Sequence, residues 1–249
     1  GSVDALRDIE TVNAELVMHD QIFVEKRIER IQSMIKKVKD EDQVKELALL
    51  EQLKNHLEEE NPLRLVELSE DEEKMLRSYP LITRKQMVIA VNVSEDDVND
   101  TELLGQVRQM VEDQRIEVML VSAKVEAEIS MLDTQEEKDE FMQDLGIDTS
   151  SLEVMTRLCL SSLGLQSFFT VGKDEVRQWL VRKESKAPTA AGVIHSDLER
   201  GFIRAEVMKY DELIEHGSEA ELKKAGKMYV QGKDYTVEDG DILNIRFSV

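Results

Sequence analysis

Two short, wholly apolar runs, Met87-Val88-Ile89-Ala90-Val91 and Val118-Met119-Leu120-Val121, leave this chain few folds to choose from. A strand with one wet face alternates apolar and polar residues, whereas a continuous apolar run belongs to a parallel sheet covered on both faces. Between the runs, a segment from about Thr101 to Asp113 has the length and spacing of a crossover helix, and more helix is expected from about Val125 to Gly164. Strand, helix, strand, helix predicts a doubly wound α/β sheet.

The residues before this sheet read differently. From Asp8 to Lys39, apolar residues recur at helical spacing, at Ile9, Val12, Leu16, Ile28, Ile31, Ile35 and Val38. After the polar turn Asp40-Glu41-Asp42, Val44, Leu47, Leu50, Leu53 and Leu57 share one face, and the pattern stops at Asn61-Pro62. Two such helices predict an antiparallel hairpin over residues 15–60. Its charged outer face is either simply solvated or an exposed coiled-coil arm for a large partner. Ser69 followed by Glu72 has the form of a capping box for a short helix ending near Tyr79-Pro80.

From about Leu165 the texture turns to β formers, Ser167-Phe168-Phe169-Thr170-Val171, and the chain closes with strand and turn signals over residues 228–235 and 239–247. This predicts a small α+β domain, with Phe168, Phe169 and Trp179 in its core. Residues 166–249 hold 13 Lys and Arg against 15 Asp and Glu, so all but −2 of the net charge of −21 lies on residues 1–165. Such acidity disfavours non-specific nucleic-acid binding and confines any RNA contact to a basic patch in the C-terminal segment. The single cysteine, Cys159, excludes an internal disulfide and a cysteine metal cluster, which suits a reducing, cytoplasmic setting. Its helical neighbours Leu158, Leu160 and Leu163 place it in a core. His19, His56, His195 and His216 are scattered without metal-ligand spacing, and surface or capping roles are expected. No apolar run reaches the roughly 18 residues of a membrane span, and no leader pattern opens the chain.

Ligands of open α/β sheets bind beyond the carboxyl ends of the strands. After the first run stands Asn92-Val93-Ser94-Glu95, and after the second Ser122-Ala123-Lys124. In P-loop GTPases the equivalent places hold Asn-Lys-x-Asp, whose Asp reads guanine's ring N–H and amino group, and Ser-Ala-Lys, whose backbone supports the base. Here Glu95 replaces that Asp and Val93 replaces the Lys, which relaxes the demand for guanine. Asn92 capping its own loop is the structural alternative. A phosphate loop, Gly-x-x-x-x-Gly-Lys-Ser/Thr, is missing: the Gly-Lys pairs at Gly172, Gly226 and Gly232 have Ser167, Glu221 and Lys227 where the first glycine should be.

With these residues in view, the chain resembles the C-terminal two thirds of YchF-type Obg-like ATPases. Residues 1–10, Gly1-Ser2-Val3-Asp4-Ala5-Leu6-Arg7-Asp8-Ile9-Glu10, look like that family's stretch after switch II, with Ala5 where Pro is usual. Asn92-Val93-Ser94-Glu95 matches its Asn-x-x-Glu motif. Phe168-Phe169-Thr170-Val171-Gly172, Lys186-Ala187-Pro188, Gly192-Val193-Ile194-His195-Ser196-Asp197, Gly201-Phe202-Ile203 and Val237-Glu238-Asp239-Gly240-Asp241-Ile242 resemble its TGS domain. The resemblance implies an α/β P-loop NTPase domain interrupted by a helical hairpin and followed by a ubiquitin-like β-grasp (TGS) domain. The divisions would be 1–14 and 80–165 for the NTPase, 15–79 for the hairpin and 166–249 for the TGS domain. It further implies an ATPase that works with Mg²⁺ and the ribosome or RNA, with the adenine base between Asn92, Val93 and Glu95 on one side and Ser122, Ala123 and Lys124 on the other, and recognised through the main chain at Val93. The phosphate- and Mg²⁺-binding half would be absent, and these residues alone inactive. A GTPase and a non-catalytic ribosome or RNA adaptor remain the alternatives.

Overall fold

The computed structural model describes residues 3–36, 40–172 and 175–248. The chain divides into two compact units, residues 1–158 and 159–249.

The first unit opens with α1 (Ala5–Ile35), whose N-cap Asp4 accepts a hydrogen bond from the Arg7 N–H. It starts three residues before the expected Asp8, while Val38 and Lys39 lie outside the described residues, as do Gly1 and Ser2. A second helix, α2 (Glu41–Glu58), is capped by Asp40. The ion pairs Arg27–Glu46 and Glu25–Lys54 match the later residue of α1 with the earlier residue of α2 and the reverse, the order of an antiparallel pair. Along the seam Val17, Val24, Ile28 and Ile31 meet Leu49, Leu50, Leu53 and Leu57. Burying each such side chain is worth about 1.5–3 kcal/mol. Val12 and Val44, counted on the apolar faces from spacing, are exposed, and Ile9 packs instead with the sheet. The expected capping box forms: Ser69 caps α3 (Glu70–Leu76), and the Glu72 carboxylate accepts from the Ser69 N–H and hydroxyl, which holds it below the usual carboxylate range.

Two buried polar residues root the hairpin. Asp20, fully buried, accepts from the Ile82 N–H at 2.9 Å, the Thr83 N–H at 2.7 Å and the Thr83 hydroxyl at 2.7 Å. Arg64, also buried, donates to the backbone carbonyls of Gln114 and Thr83, and among the described residues no carboxylate pairs with it. Burial pushes its pKa below the ordinary guanidinium value.

Strands β1 (Met87–Asn92) and β2 (Ile116–Val121) pair in parallel, from Met87 opposite Ile116 to Asn92 opposite Val121. Their crossover helix α4 (Thr101–Met110) is capped by Asp100 and buries Val107 against the sheet. Sequence spacing predicts β1 dry on both faces, yet only Val91 is buried and Ala90 is exposed. Among the described residues the sheet has two strands, so β1 has cover from one neighbour only. After β2 the helical stretch expected from about Val125 to Gly164 holds three helices: α5 (Ala123–Ser130), α6 (Gln135–Asp144) and α7 (Ser151–Ser162). Thr134 and Glu137 start α6 with their own capping box, and Gly146, at φ +65°, follows its end. No residue of α7 is buried, and Cys159 is exposed rather than in the core that its leucine neighbours suggested.

The second unit is a β-grasp. Its strands are β3 (Leu165–Val171), β4 (Val176–Arg182), β5 (Phe202–Lys209), β6 (Tyr229–Gln231) and β7 (Asp241–Phe247), in the order β4-β3-β7-β5-β6. Only β3 and β7, at the centre, run parallel; β6 and β7, close in sequence, do not pair, and both flank β5. On one face α8 (Ala187–Ile194) lays Ala187, Ala190 and Ala191 against Phe168, Ala205, Val207 and Leu243, its small side chains allowing close approach. Trp179 is partly buried at the rim of this core, and Phe169 points into the second cluster with Met208, Leu222 and Ile242. Short helices α9 (Ser196–Arg200), α10 (Tyr210–His216) and α11 (Glu219–Lys224) complete the unit. Gly201 is required by contact: a Cβ there would strike the backbone carbonyl of Ser248.

Asp241, fully buried, ties the closing turn to β5. It accepts from Lys209 at 2.6 Å, the Tyr235 hydroxyl at 2.7 Å and the Glu238 N–H at 2.9 Å. Burial pulls the Lys209 pKa down, but its bonds to Asp241, Glu238 and Tyr235 win and hold it above the ordinary value. Burial and the bond to Asp241 push the Tyr235 hydroxyl up to about 12. No helix among the described residues is long and apolar enough to cross a membrane.

Candidate functional site

The register of β1 and β2 brings their carboxyl ends level, so the two loops that follow lie side by side. Three bonds tie them. The Val93 N–H donates to the Val121 carbonyl at 2.8 Å, continuing the ladder one residue past β1. Asn92 Oδ1 accepts from the Ala123 N–H at 3.1 Å. Lys124 Nζ donates to Glu95 Oε2 at 2.9 Å. All six residues named from sequence, Asn92, Val93, Glu95, Ser122, Ala123 and Lys124, thus fall into one ledge.

Each arrives there for a local reason. Ser122 is buried and caps α5, and the cap starts a helix immediately beyond the strand. That places Ala123 and Lys124 on the exposed first turn. Ser94 likewise opens the short turn Glu95–Asp97, held by its hydroxyl donating to Asp97 at 2.6 Å. The Asn92 side-chain oxygen accepts from Ala123 in the other loop, so it ties the two loops rather than capping its own; its amide Nδ2 has no partner among the described residues. Strand ends single out Glu95 and Lys124 one at a time, and the ion pair between them is seen only in the structure. The signal was present as opposite charges, each just past a strand end.

Electrostatically the ledge carries one dominant interaction: the Lys124 pKa is raised, first by its hydrogen bond to Glu95, then by the charges of Glu95 and Glu128. The ledge is open rather than enclosed. A cavity of about 470 Å³ beside β2, walled by α4, α7 and the loops at 98–100 and 146–149, includes Ser122 but none of the other five residues.

The histidines take the minor roles expected. His195 Nδ1 caps α9 by accepting from the Asp197 N–H, His216 bonds the Glu212 carbonyl and His56 the Pro62 carbonyl. No group of three or more potential metal ligands occurs among the described residues.

In chain order the two parallel strands that end in these loops follow a helical hairpin and precede a β-grasp. Known proteins match the chain over its whole length. The YchF-GTPase_C family profile, described as "Protein of unknown function (DUF933)", matches residues 165–248. The Ribosome-binding ATPase YchF of Bacillus subtilis is 44% identical over 252 residues, covering all of this chain and 68% of the relative. Obg-like ATPase 1 of Caenorhabditis elegans is 34% identical, with 63% of its length covered. The solved Schizosaccharomyces pombe YchF GTPase superposes with a TM-score of 0.81 at 31% identity, over 99% of this chain and 67% of that one. The chain belongs to the YchF/Obg-like ATPase family.

Proposed function

We propose that this protein, at the full length of its relatives, is an ATP hydrolase whose nucleotide state governs binding to the ribosome. The observation that carries the reading is the paired ledge, where Asn92 Oδ1 holds the Ala123 N–H at 3.1 Å. It fixes both loops at the strand ends, where open α/β sheets bind their ligands. The Val93 N–H is spent on Val121, so main-chain recognition at Val93 falls to its carbonyl, which accepts no hydrogen bond among the described residues. A carbonyl acceptor suits adenine's amino group and opposes guanine's carbonyl at the same ring position. Ribosome association is taken from relatives named Ribosome-binding ATPase YchF. The hairpin, read as a coiled-coil arm, and the β-grasp, read as a TGS domain, are the surfaces proposed for the ribosome or its RNA. A cytoplasmic setting belongs to the same reading.

Phosphoryl transfer needs a backbone cradle, a phosphate-contacting lysine and Mg²⁺. None of the Gly-Lys pairs in residues 1–249 sits in a phosphate loop, so ATP phosphates and Mg²⁺ are proposed to be held by sequence outside these residues. One solved relative is titled a GTPase, which keeps GTP as the second reading. Steady-state hydrolysis separates the cases. Residues 1–249 should release negligible phosphate, and the same residues in a chain of the relatives' length should turn over ATP faster than GTP. Equal ATP turnover by both chains would contradict the missing-cradle argument, and faster GTP turnover would contradict the base assignment.

A further inference from the structure

We propose that Lys124 sets the base preference of the ledge by holding the Glu95 carboxylate away from guanine's ring N–H and amino group. The inference rests on the base-site reading above and assigns a role to a side chain expected to matter only through its backbone.

Reading guanine with a carboxylate takes both oxygens, one for each of two adjacent donors. In this structure Lys124 Nζ stands 2.9 Å from Glu95 Oε2, and it is the one hydrogen-bond partner of the Glu95 side chain among the described residues. One oxygen is therefore engaged by the ammonium, and a guanine base has to compete with it for that oxygen. Lys124 is itself held in place: Glu128, one turn along α5, lies 3.8 Å away on the same helix face.

The pair acts on adenine as well. Adenine presents an acceptor at ring N1, which a bare carboxylate would repel, and an ammonium bound to that carboxylate removes most of the repulsion. Lys124 thus weakens guanine and spares adenine through one contact. Both side chains are substantially exposed, 68% for Lys124 and 38% for Glu95, so the effect is modest and falls as salt screens the pair. A shift of about two- to fivefold in relative affinity is the size such exposed pairs deliver.

The test is nuclear magnetic resonance titration of a chain of the relatives' length with ADP and with GDP, following the Val93 and Ala123 amides. Lys124→Ala should raise the GDP-to-ADP affinity ratio about two- to fivefold, Lys124→Arg should keep the wild-type ratio, and Lys124→Ala with Glu95→Gln should lose the gain. Added salt should move the wild-type ratio toward that of Lys124→Ala. An unchanged ratio in Lys124→Ala, with both amides still responding and the rest of the spectrum native, overturns the role of Lys124 and leaves the base site standing. If neither amide responds to either nucleotide in any variant, the base-site reading fails and takes this proposal with it.

Discussion

Replacing Asp20 by alanine probes how the hairpin is anchored. The carboxylate is fully buried and satisfies two backbone N–H groups, of Ile82 and Thr83, together with the Thr83 hydroxyl. Alanine leaves both backbone donors without an acceptor, whereas the hydroxyl can rotate to another. At about 1–3 kcal/mol for each buried donor left unmade, the loss is roughly 2–6 kcal/mol. For a unit of this size that lowers the melting temperature by at least about 4 °C. Asp20→Asn keeps one acceptor oxygen and should cost about half as much. The two units can be followed separately. Trp179, the only tryptophan, lies in residues 159–249, while the two longest helices lie in residues 1–158. Asp20→Ala should move the circular-dichroism transition to lower temperature and leave the Trp179 fluorescence transition in place. A helical transition that does not move refutes the anchoring argument.

Alkaline titration addresses the second unit. Tyr235, pushed up to about 12, stays protonated in the folded unit after ordinary tyrosines ionise near pH 10. Its raised folded value means that its contribution to stability is complete below about pH 10 and is lost as pH rises toward 12. Absorbance should show one of the four tyrosines ionising last, and Tyr235→Phe should remove that step; four tyrosines titrating together contradict the network. At the base site, Val93→Lys with Glu95→Asp should shift relative affinity toward GTP by roughly 1–3 kcal/mol in a chain of the relatives' length. The shift should grow when Lys124→Ala is added, and calorimetry showing no shift in either variant would count against the ledge as the base reader.

The architecture was largely legible because hydrophobic period survives in sequence. The seam residues Ile28, Ile31, Leu50, Leu53 and Leu57, the capping box at Ser69 and Glu72, and the parallel pairing of the two apolar runs all follow from local pattern. Pattern failed where burial depends on what a distant segment covers. Cys159, Val12 and Val44 have the right neighbours in sequence and are nonetheless exposed. Long-range polar anchors were equally hidden: nothing local marks Asp20 as the acceptor for residues 82 and 83, or Asp241 as the partner of Lys209. The six ledge residues could be named because strand ends select positions. The bonds between Asn92 and Ala123, and between Glu95 and Lys124, needed the register to be seen.

Base choice is the claim from which the rest of the functional account hangs, and calorimetric titration of ATP and GTP into a chain of the relatives' length measures it directly. With the Val93 carbonyl free to accept and the Glu95 carboxylate engaged by Lys124, ATP should bind more tightly than GTP. Tighter binding of GTP would contradict the account.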